Sequence, residues 1–388
     1  MLPVPAELTI GNTPVAHFGA GSVARLPEIV VAAGWDSALV VTDAALAATG
    51  ITAAVTDLLS SAGVEAAVFT GVHANPTTTD IAAGALAAGP LLAGRPVVVA
   101  VGGGSPIDAA KGIALAAVNP QRGRELDYRG TFAAPALPLV AVPTTAGTGA
   151  ETNAFGVVTD VELHRKFYVG HASTMPAAAI LDPSLTAGLP AGPTAATGMD
   201  ALTHALESYL SVRANAWSAG LALQVIRMVG EALPRAVADG GDGEARAQML
   251  LAAHMAGLAM ATTGLGACHA IGHALGGRFD IAHGVALTVV LPRVLMFSLP
   301  ASQSRLADIS FALGVGDTAS PADVNAAAAV HAVTELAESV GMRHRLADFG
   351  IDSSAFDLIA ADALDDEVIV NAPLKPSADD IVAILAGS

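Results

Sequence analysis

Short, apolar, β-branched runs alternate with alanine-rich stretches through the first half of the chain. The runs "SALVVTD" (37–43), "EAAVFTG" (65–71), "PVVVAVGGG" (96–104) and "LPLVAVPTT" (137–145) each end in turn residues. Apolar runs of this length predict buried parallel strands. The alanine-rich segments between them predict helices that cover both faces of one sheet. From about Pro190 the pattern changes. "TGMDALTHALESYLS", "SAGLALQVIRMVGEAL" and "RAQMLLAAHMAGLAMA" carry apolar residues at helical spacing and few β-branched runs. Proline and glycine collect between the two patterns, in "ILDPSLTAGLPAGPT" (180–194). The expected organisation is an α/β unit over residues 1–184 followed by an all-helical unit over residues 185–388. Ligands commonly bind between such units.

Composition sharpens this picture. Of the 388 residues, 53% are hydrophobic and only 14% charged, so large cores are available. Aromatics make up 4%, so small side chains do the filling, which suits closely packed helices. A net charge of −17 argues against nucleic acid and anionic membranes as partners. It also means that a nucleotide site must rely on local backbone N–H groups. The single cysteine, Cys268, excludes an intrachain disulfide and fits a reducing compartment. The opening "MLPVPAELTI" lacks the basic and apolar regions of a signal peptide, so a cytoplasmic location is expected. No stretch approaches the ~20 uninterrupted apolar residues of a membrane span.

Two turns carry a nucleotide signal. "VVVAVGGGSPIDAAKGIALA" reads strand, glycine turn, helix. The glycines let backbone approach a ligand closely, and open N–H groups at a helix start favour phosphate. Ser105 is the expected N-cap, with Pro106 in the first turn and Asp108 completing a capping-box-like pair. Taken alone, a ligand-free strand-to-helix connection explains this stretch equally well. The next strand also ends in a polar glycine turn, "VPTTAGTGAETN" (142–153), with hydroxyls at Thr144, Thr145 and Thr148. Two such turns on successive strands favour the nucleotide. Asp43 ends the strand "VVTD", where a carboxylate can accept hydrogen bonds from an adenosine ribose. It precedes the glycines, whereas the usual fingerprint places the acid about 20 residues after them. From spacing alone, Asp43 is an ordinary turn residue.

A metal signal lies in the second half. Asp200 and His204, in "GMDALTHALE", stand four apart and share one apolar helix face. His269 and His273 repeat that spacing in "HAIGHALGGRFDIAHG", and His283 follows ten residues later. An isolated histidine is usually a satisfied core or surface residue; five candidate ligands in paired arrangements are harder to dismiss. A catalytic divalent ion takes three or four protein ligands and keeps one position open, which leaves one histidine for proton transfer. His254 reads as a core or cleft residue and Cys268 as a small buried hydrophobe.

With these motifs assembled, the chain resembles the iron-containing (group III) alcohol dehydrogenases almost end to end. The resemblance runs from "HFGAGSVARLPEIV" through "GGGSPIDAAK", "PTTAGTGAE", "ILDPSLTAGLP", "GMDALTHALE" and "HAIGHALGGRFDIAHG" to "VNAPLKPSADDIVAIL". It implies a dehydroquinate synthase-like architecture, with a dinucleotide-binding domain followed by an all-α domain. It implies a divalent ion, Fe2+ or sometimes Zn2+, on Asp200, His204, His269 and His283, with His273 as the active-site histidine that does not ligate. It also implies that Asp43 contacts the adenosine ribose, and that Gly102, Gly103, Gly104, Ser105 and Asp108 surround the pyrophosphate. Thr144, Thr145, Thr148 and Lys166 belong to the same cofactor site by this resemblance. Two departures stand out. Ala274 follows the second histidine where many members have proline, and Arg278 occupies a stretch where many have a bulky apolar residue. The first reading of Arg278 is a surface ion pair; the other is recognition of a substrate with a distal acid group.

The expected activity is metal-dependent hydride transfer between a nicotinamide cofactor and a small alcohol or aldehyde. NAD is expected over NADP, because Asp43 would repel a 2′-phosphate. A homodimer or larger homo-oligomer is expected from the resemblance. The rivals are a metal-dependent lyase or cyclase on the same architecture, a maleylacetate reductase-like enzyme, and a non-enzymatic metal- or nucleotide-binding protein. The complete ligand set Asp200, His204, His269 and His283 argues against the reductase.

Overall fold

The computed structural model describes residues 10–11, 13–163 and 165–388. The expectation of no leader in the opening segment falls on residues 1–9, outside the described ones. Two compact units emerge. One comprises Asn12–Thr145 and Gly149–Gly188; the other comprises Leu189–Ser388 with Ala146–Thr148.

The first unit is built on strands β1 (Val15–Phe18), β2 (Ser37–Asp43), β3 (Glu65–Val72), β4 (Pro96–Gly102), β5 (Leu139–Pro143), β6 (Phe155–Asp160), β7 (Arg165–Gly170) and β8 (Ala178–Leu181). Its helices are α1 (Leu26–Ala32), the single turn α2 (Ala44–Ala47), α3 (Ile51–Ser61), α4 (Thr78–Ala88) and α5 (Gly104–Ala116). Six strands form a parallel sheet in the order β1-β8-β5-β4-β2-β3, while β6 and β7 make a separate antiparallel hairpin. Strands β2, β4 and β5 alternate cleanly between two cores. Leu39, Val41, Val98, Ala100 and Leu139 pack with Ile81, Ile107 and Ile113 of α4 and α5. Ala38, Val40, Val97, Val99 and Val140 pack with Leu26, Val30, Val55 and Leu59 of α1 and α3. Burial on both faces explains why these strands read as continuous apolar runs. Each fully buried valine or leucine contributes roughly 1.5–3 kcal/mol.

The sheet order places Asp43 beside β4 despite its earlier position in the chain. Although β2 comes before β4 in the chain, the two are neighbours, with Val41 opposite Ala100. Extending that register by two residues brings Asp43 level with Gly102, which ends β4.

The second unit is all-helical: α6 (Ala191–Leu210), α7 (Ala216–Ala238), α8 (Gly243–Thr263), α9 (Ala267–Phe279), α10 (His283–Ala312), α11 (Ala322–Ser339), α12 (Phe356–Asp365) and α13 (Ala378–Ala386). Helix α10 is long and apolar enough, by length and composition, to cross a membrane. The expectation that no stretch approaches the length of a membrane span did not single this helix out; it contains Pro292 and Pro300. It serves here as a core helix packed against α6, α9 and α11. Its buried face includes Leu287, Val290, Leu291, Leu306 and Ile309.

Candidate metal centre and cofactor turns

Helix α6 is buried along nearly its whole length from Thr194 to Leu210. Ionisable groups on it must be matched by partners, because an unpaired buried charge is costly. Asp200 and His204 lie one turn apart there, and Glu207 follows three residues later. Helix α9 supplies His269 and His273, again one turn apart. Gly272, between them, lets α9 approach α10: a Cβ at that position would come within 2.5 Å of Leu287 Cδ2. Asp280 caps α9 in the left-handed region (φ 53°), and the chain then turns so that His283 opens α10.

These elements converge on one atom. Asp200 Oδ1 lies 3.4 Å from His204 Nε2, 3.6 Å from His269 Nε2 and 3.6 Å from His283 Nε2. The donor atoms of Asp200, His269 and His283 all fall within 4.8 Å of one another. Donors about 2.1 Å from a tetrahedral ion are separated by about 3.4 Å, so the spacing fits a first-row divalent cation. The bonding fits as well. Asp200 Oδ1 and His269 Nε2 are buried and make no hydrogen bond among the described residues. Their 3.6 Å separation is beyond hydrogen-bond reach. Two buried polar atoms aimed at one point, each lacking a hydrogen bond, are what a cation would satisfy. His273 packs against two of these histidines. Its ring stacks on His283 (centroids 5.4 Å apart, 18° between planes) and meets His269 edge-on at 5.9 Å.

The electrostatics follow from this packing. Burial alone would raise the Asp200 carboxyl, but the neighbouring imidazoles of His204, His283 and His269 override it and hold it well below the usual range. Burial lowers His204 to about 4, against the opposing pull of Asp200. Burial also disfavours charge on His269, yet the carboxylates of Glu207 and Asp200 on either side push it up to about 9. Burial pushes the Cys268 thiol up, and its Sγ lies 3.5 Å from the Leu287 carbonyl. The expected small buried hydrophobe is what this residue is. His254 is buried on α8.

Two carboxylates that the sequence reading did not single out orient the histidines. Glu207 Oε2 accepts from His269 Nδ1 at 2.6 Å and from the Gly266 N–H at 2.9 Å; Oε1 accepts from the Cys268 N–H at 2.7 Å. Glu207 was legible, since it continues the Asp200–His204 face of α6. Asp366 was not, because it is 93 residues from its partner: its Oδ2 lies 2.7 Å from His273 Nδ1. Arg278 forms an ion pair with Asp362, in line with the first reading of that residue.

The turns that the sequence marks as candidates for a cofactor lie at the carboxyl ends of β2, β4 and β5. Gly102 (φ 152°) ends β4 where a Cβ would collide with Pro106. One expectation needs correction. Ser105 is not the N-cap of α5; Gly103 is, with no side-chain cap. The glycines let the helix start earlier than a serine cap requires. The Ser105 hydroxyl instead donates to the Ala74 carbonyl. Nor does Asp108 close a capping box. Its Oδ2 accepts from the Val157 N–H at 2.9 Å and its Oδ1 lies 3.7 Å from Lys111 Nζ, which ties hairpin β6–β7 to α5. Burial raises Asp108 against the pull of Lys111. Lys166 lies on β7 opposite Thr159. Thr144 is buried, while Thr145 and Thr148 are partly exposed. Asp43 N-caps α2, accepting from the Leu46 N–H at 2.8 Å through Oδ1.

Comparison with known proteins is consistent along the chain. Residues 14–183 match the family model "Iron-containing alcohol dehydrogenase", and residues 194–388 match "Fe-containing alcohol dehydrogenase family, C-terminal". The chain is 38% identical over 380 residues to "Probable alcohol dehydrogenase EutG" of Escherichia coli, covering 98% of this chain and 94% of that one. It is 35% identical over 374 residues to "NAD-dependent methanol dehydrogenase" of Bacillus methanolicus, covering 96% and 97%. Among solved structures, a 1,3-propanediol oxidoreductase superposes with a TM-score of 0.94 at 37% identity, covering 98% of this chain and all of that one.

Proposed function

The chain belongs to the iron-containing alcohol dehydrogenase family, and from that premise we propose that it interconverts a small alcohol and its aldehyde using NAD. The observation that carries this reading is the convergence of His204, His269 and His283 Nε2 on Asp200 Oδ1. Those four residues would hold a divalent cation, Fe2+ in first place and Zn2+ in second. When bound, the cation supplies Lewis acidity that lowers the pKa of an alcohol, and the nicotinamide accepts the hydride.

The chain's own residues do the rest. Glu207 fixes His269 as the tautomer with its proton on Nδ1, which turns the Nε2 lone pair toward the ligand set. Asp366 holds His273 in the same way, so that Nε2 is the atom available to take up or return a proton. The open N–H groups at the start of α5, with Gly102, Gly103, Gly104 and Ser105, cradle the pyrophosphate. Asp108 and Lys166 support that turn through hairpin β6–β7, Thr144, Thr145 and Thr148 line the cofactor site, and Asp43 accepts from the adenosine ribose. We place the enzyme in the cytoplasm, in keeping with its single, buried, unpaired cysteine. We also propose a homodimer or larger homo-oligomer. Strand β1 ends the sheet with Val15 and Phe18 exposed, an edge suited to a second copy.

The test is a panel of short alcohols and aldehydes with NAD and NADP, on protein of measured metal content. Cofactor-linked turnover that rises with bound metal supports the proposal. Bound metal and nucleotide without turnover on any substrate would favour a binding protein instead.

A further inference from the structure

Histidine 73 lies immediately beyond β3 with its side chain 75% exposed, yet its ring is fixed. His73 Nδ1 is 2.8 Å from Asp80 Oδ1, and the side chain of Asp80 is only 4% exposed. Asp80 Oδ2 accepts from the backbone N–H groups of His73 (3.2 Å) and Thr77 (3.0 Å). Helix α4 is already capped by the reciprocal Thr77–Asp80 pair, so the cap does not need the imidazole. A buried carboxylate oxygen is thus committed to orienting an exposed ring, an arrangement that reduces the entropy lost when the ring meets a ligand.

The location tells what that ligand group is. Asp43, at the end of β2, lies opposite both Gly71 and Val72 of β3. His73 is the next residue, which puts its Cα about 6 Å from that of Asp43, given the strand spacing and rise. The same loop is tied to the first turn of α5, because the Ser105 hydroxyl donates to the Ala74 carbonyl. His73 therefore stands where the ends of β2, β3 and β4 meet. In the tautomer that keeps Nδ1–H on Asp80, Nε2 is an acceptor, and it makes no hydrogen bond among the described residues. On Asp43, Oδ1 is engaged by the Leu46 N–H, which leaves Oδ2. A ribose 2′,3′-diol has two hydroxyl donors, and Asp43 and His73 provide two acceptors.

We propose that His73 is a further cofactor-binding residue that grips the adenosine ribose together with Asp43, an inference that rests on the dinucleotide reading above. The experiment compares wild type with His73→Ala and His73→Gln. It measures affinity for NADH and ADP-ribose, and kinetics with NAD and with nicotinamide mononucleotide, which lacks the adenosine half. His73→Ala should weaken NADH and ADP-ribose about 3- to 10-fold, the range expected for one hydrogen bond between neutral groups. The KM for NAD should rise in step, while kcat at saturation, metal content and kinetics with the mononucleotide stay unchanged. His73→Gln should restore most of the affinity through its amide oxygen. An unchanged NADH affinity in His73→Ala, or an equal loss with the mononucleotide, overturns the assignment. Failure of the wild type itself to bind NADH or ADP-ribose is a different result, and it overturns the dinucleotide reading.

Discussion

Replacing Glu207 by glutamine isolates the orientation of His269 from the shape of the core. Glu207 is buried and accepts from three N–H groups: Gly266 N, Cys268 N and His269 Nδ1. Two of these are backbone groups that cannot change direction. A glutamine offers one oxygen and one NH2, so the NH2 must face a donor somewhere. The amide orientation that keeps the oxygen at the Oε2 position sets the NH2 against the Cys268 N–H, whereas the orientation that places the NH2 there, beside Gly266 N and His269 Nδ1, makes Nδ1 the acceptor and moves the His269 proton to Nε2. That proton then points into the ligand set, 3.6 Å from Asp200 Oδ1, and blocks coordination. Carboxylates behind a ligating histidine are typically worth 10–100-fold in metal affinity. That corresponds to about 1.4–2.8 kcal/mol. The assay is competition for Zn2+ against a chelator of known affinity, with thermal unfolding of the metal-free protein as the control for folding. Metal affinity within twofold of wild type in a folded Glu207→Gln protein would refute the argument.

Three further outcomes follow from the same geometry. His273→Ala should keep nearly full metal occupancy while turnover falls by about 10²–10⁴-fold, the usual range for a general acid–base group; loss of metal as complete as in His269→Ala would make His273 a ligand. Asp43→Gly should shift the ratio of catalytic efficiencies from NAD toward NADP, and an unchanged ratio would show that Asp43 has no contact with the ribose. At pH 7 the metal-free protein holds a proton on His269 (about 9) but not on His204 (about 4), so loading a divalent ion should expel the His269 proton, and this release should vanish above about pH 9. Calorimetry in buffers of different ionisation enthalpy reads it, and release that does not change between pH 7 and pH 10 would contradict the assignment.

How much the sequence disclosed depended on whether the signal was local. Strand β2 was readable to the residue, because "SALVVTD" is buried on both faces and needs no partner to be recognised. Strands β1 and β8, four residues each, were passed over, since runs that short carry little periodicity. The pairs Asp200–His204 and His269–His273 were legible because a helix turns residue spacing into a shared face. Asp366 was not, since only the tertiary fold brings it to His273. The capping of α5 failed for a different reason. Serine is an ordinary N-cap, but glycines let the chain enter the helix one residue after Gly103, with no side-chain cap.

Cation binding by the proposed ligand cluster would also explain why so apolar a chain tolerates these groups. Asp200, His204, His269 and Glu207 are all buried on or beside α6 and α9, where alanine or leucine would pack at lower cost. In the metal-free protein, one imidazolium at His269 between two carboxylates offsets part of that penalty. The sign is fixed by the raised value: the stabilisation is complete below the unfolded value of about 6.5 and is lost as pH rises through about 9. His204 acts in the opposite sense. Its lowered value makes the unfolded chain bind more protons, so stability falls as pH drops from about 6.5 through about 4. A bound cation replaces both effects, because it needs every ligand histidine neutral and binds only the folded arrangement. Metal should therefore raise thermal stability most at alkaline pH, where the His269 proton is gone. It should raise it least near pH 4, where protons compete for His204.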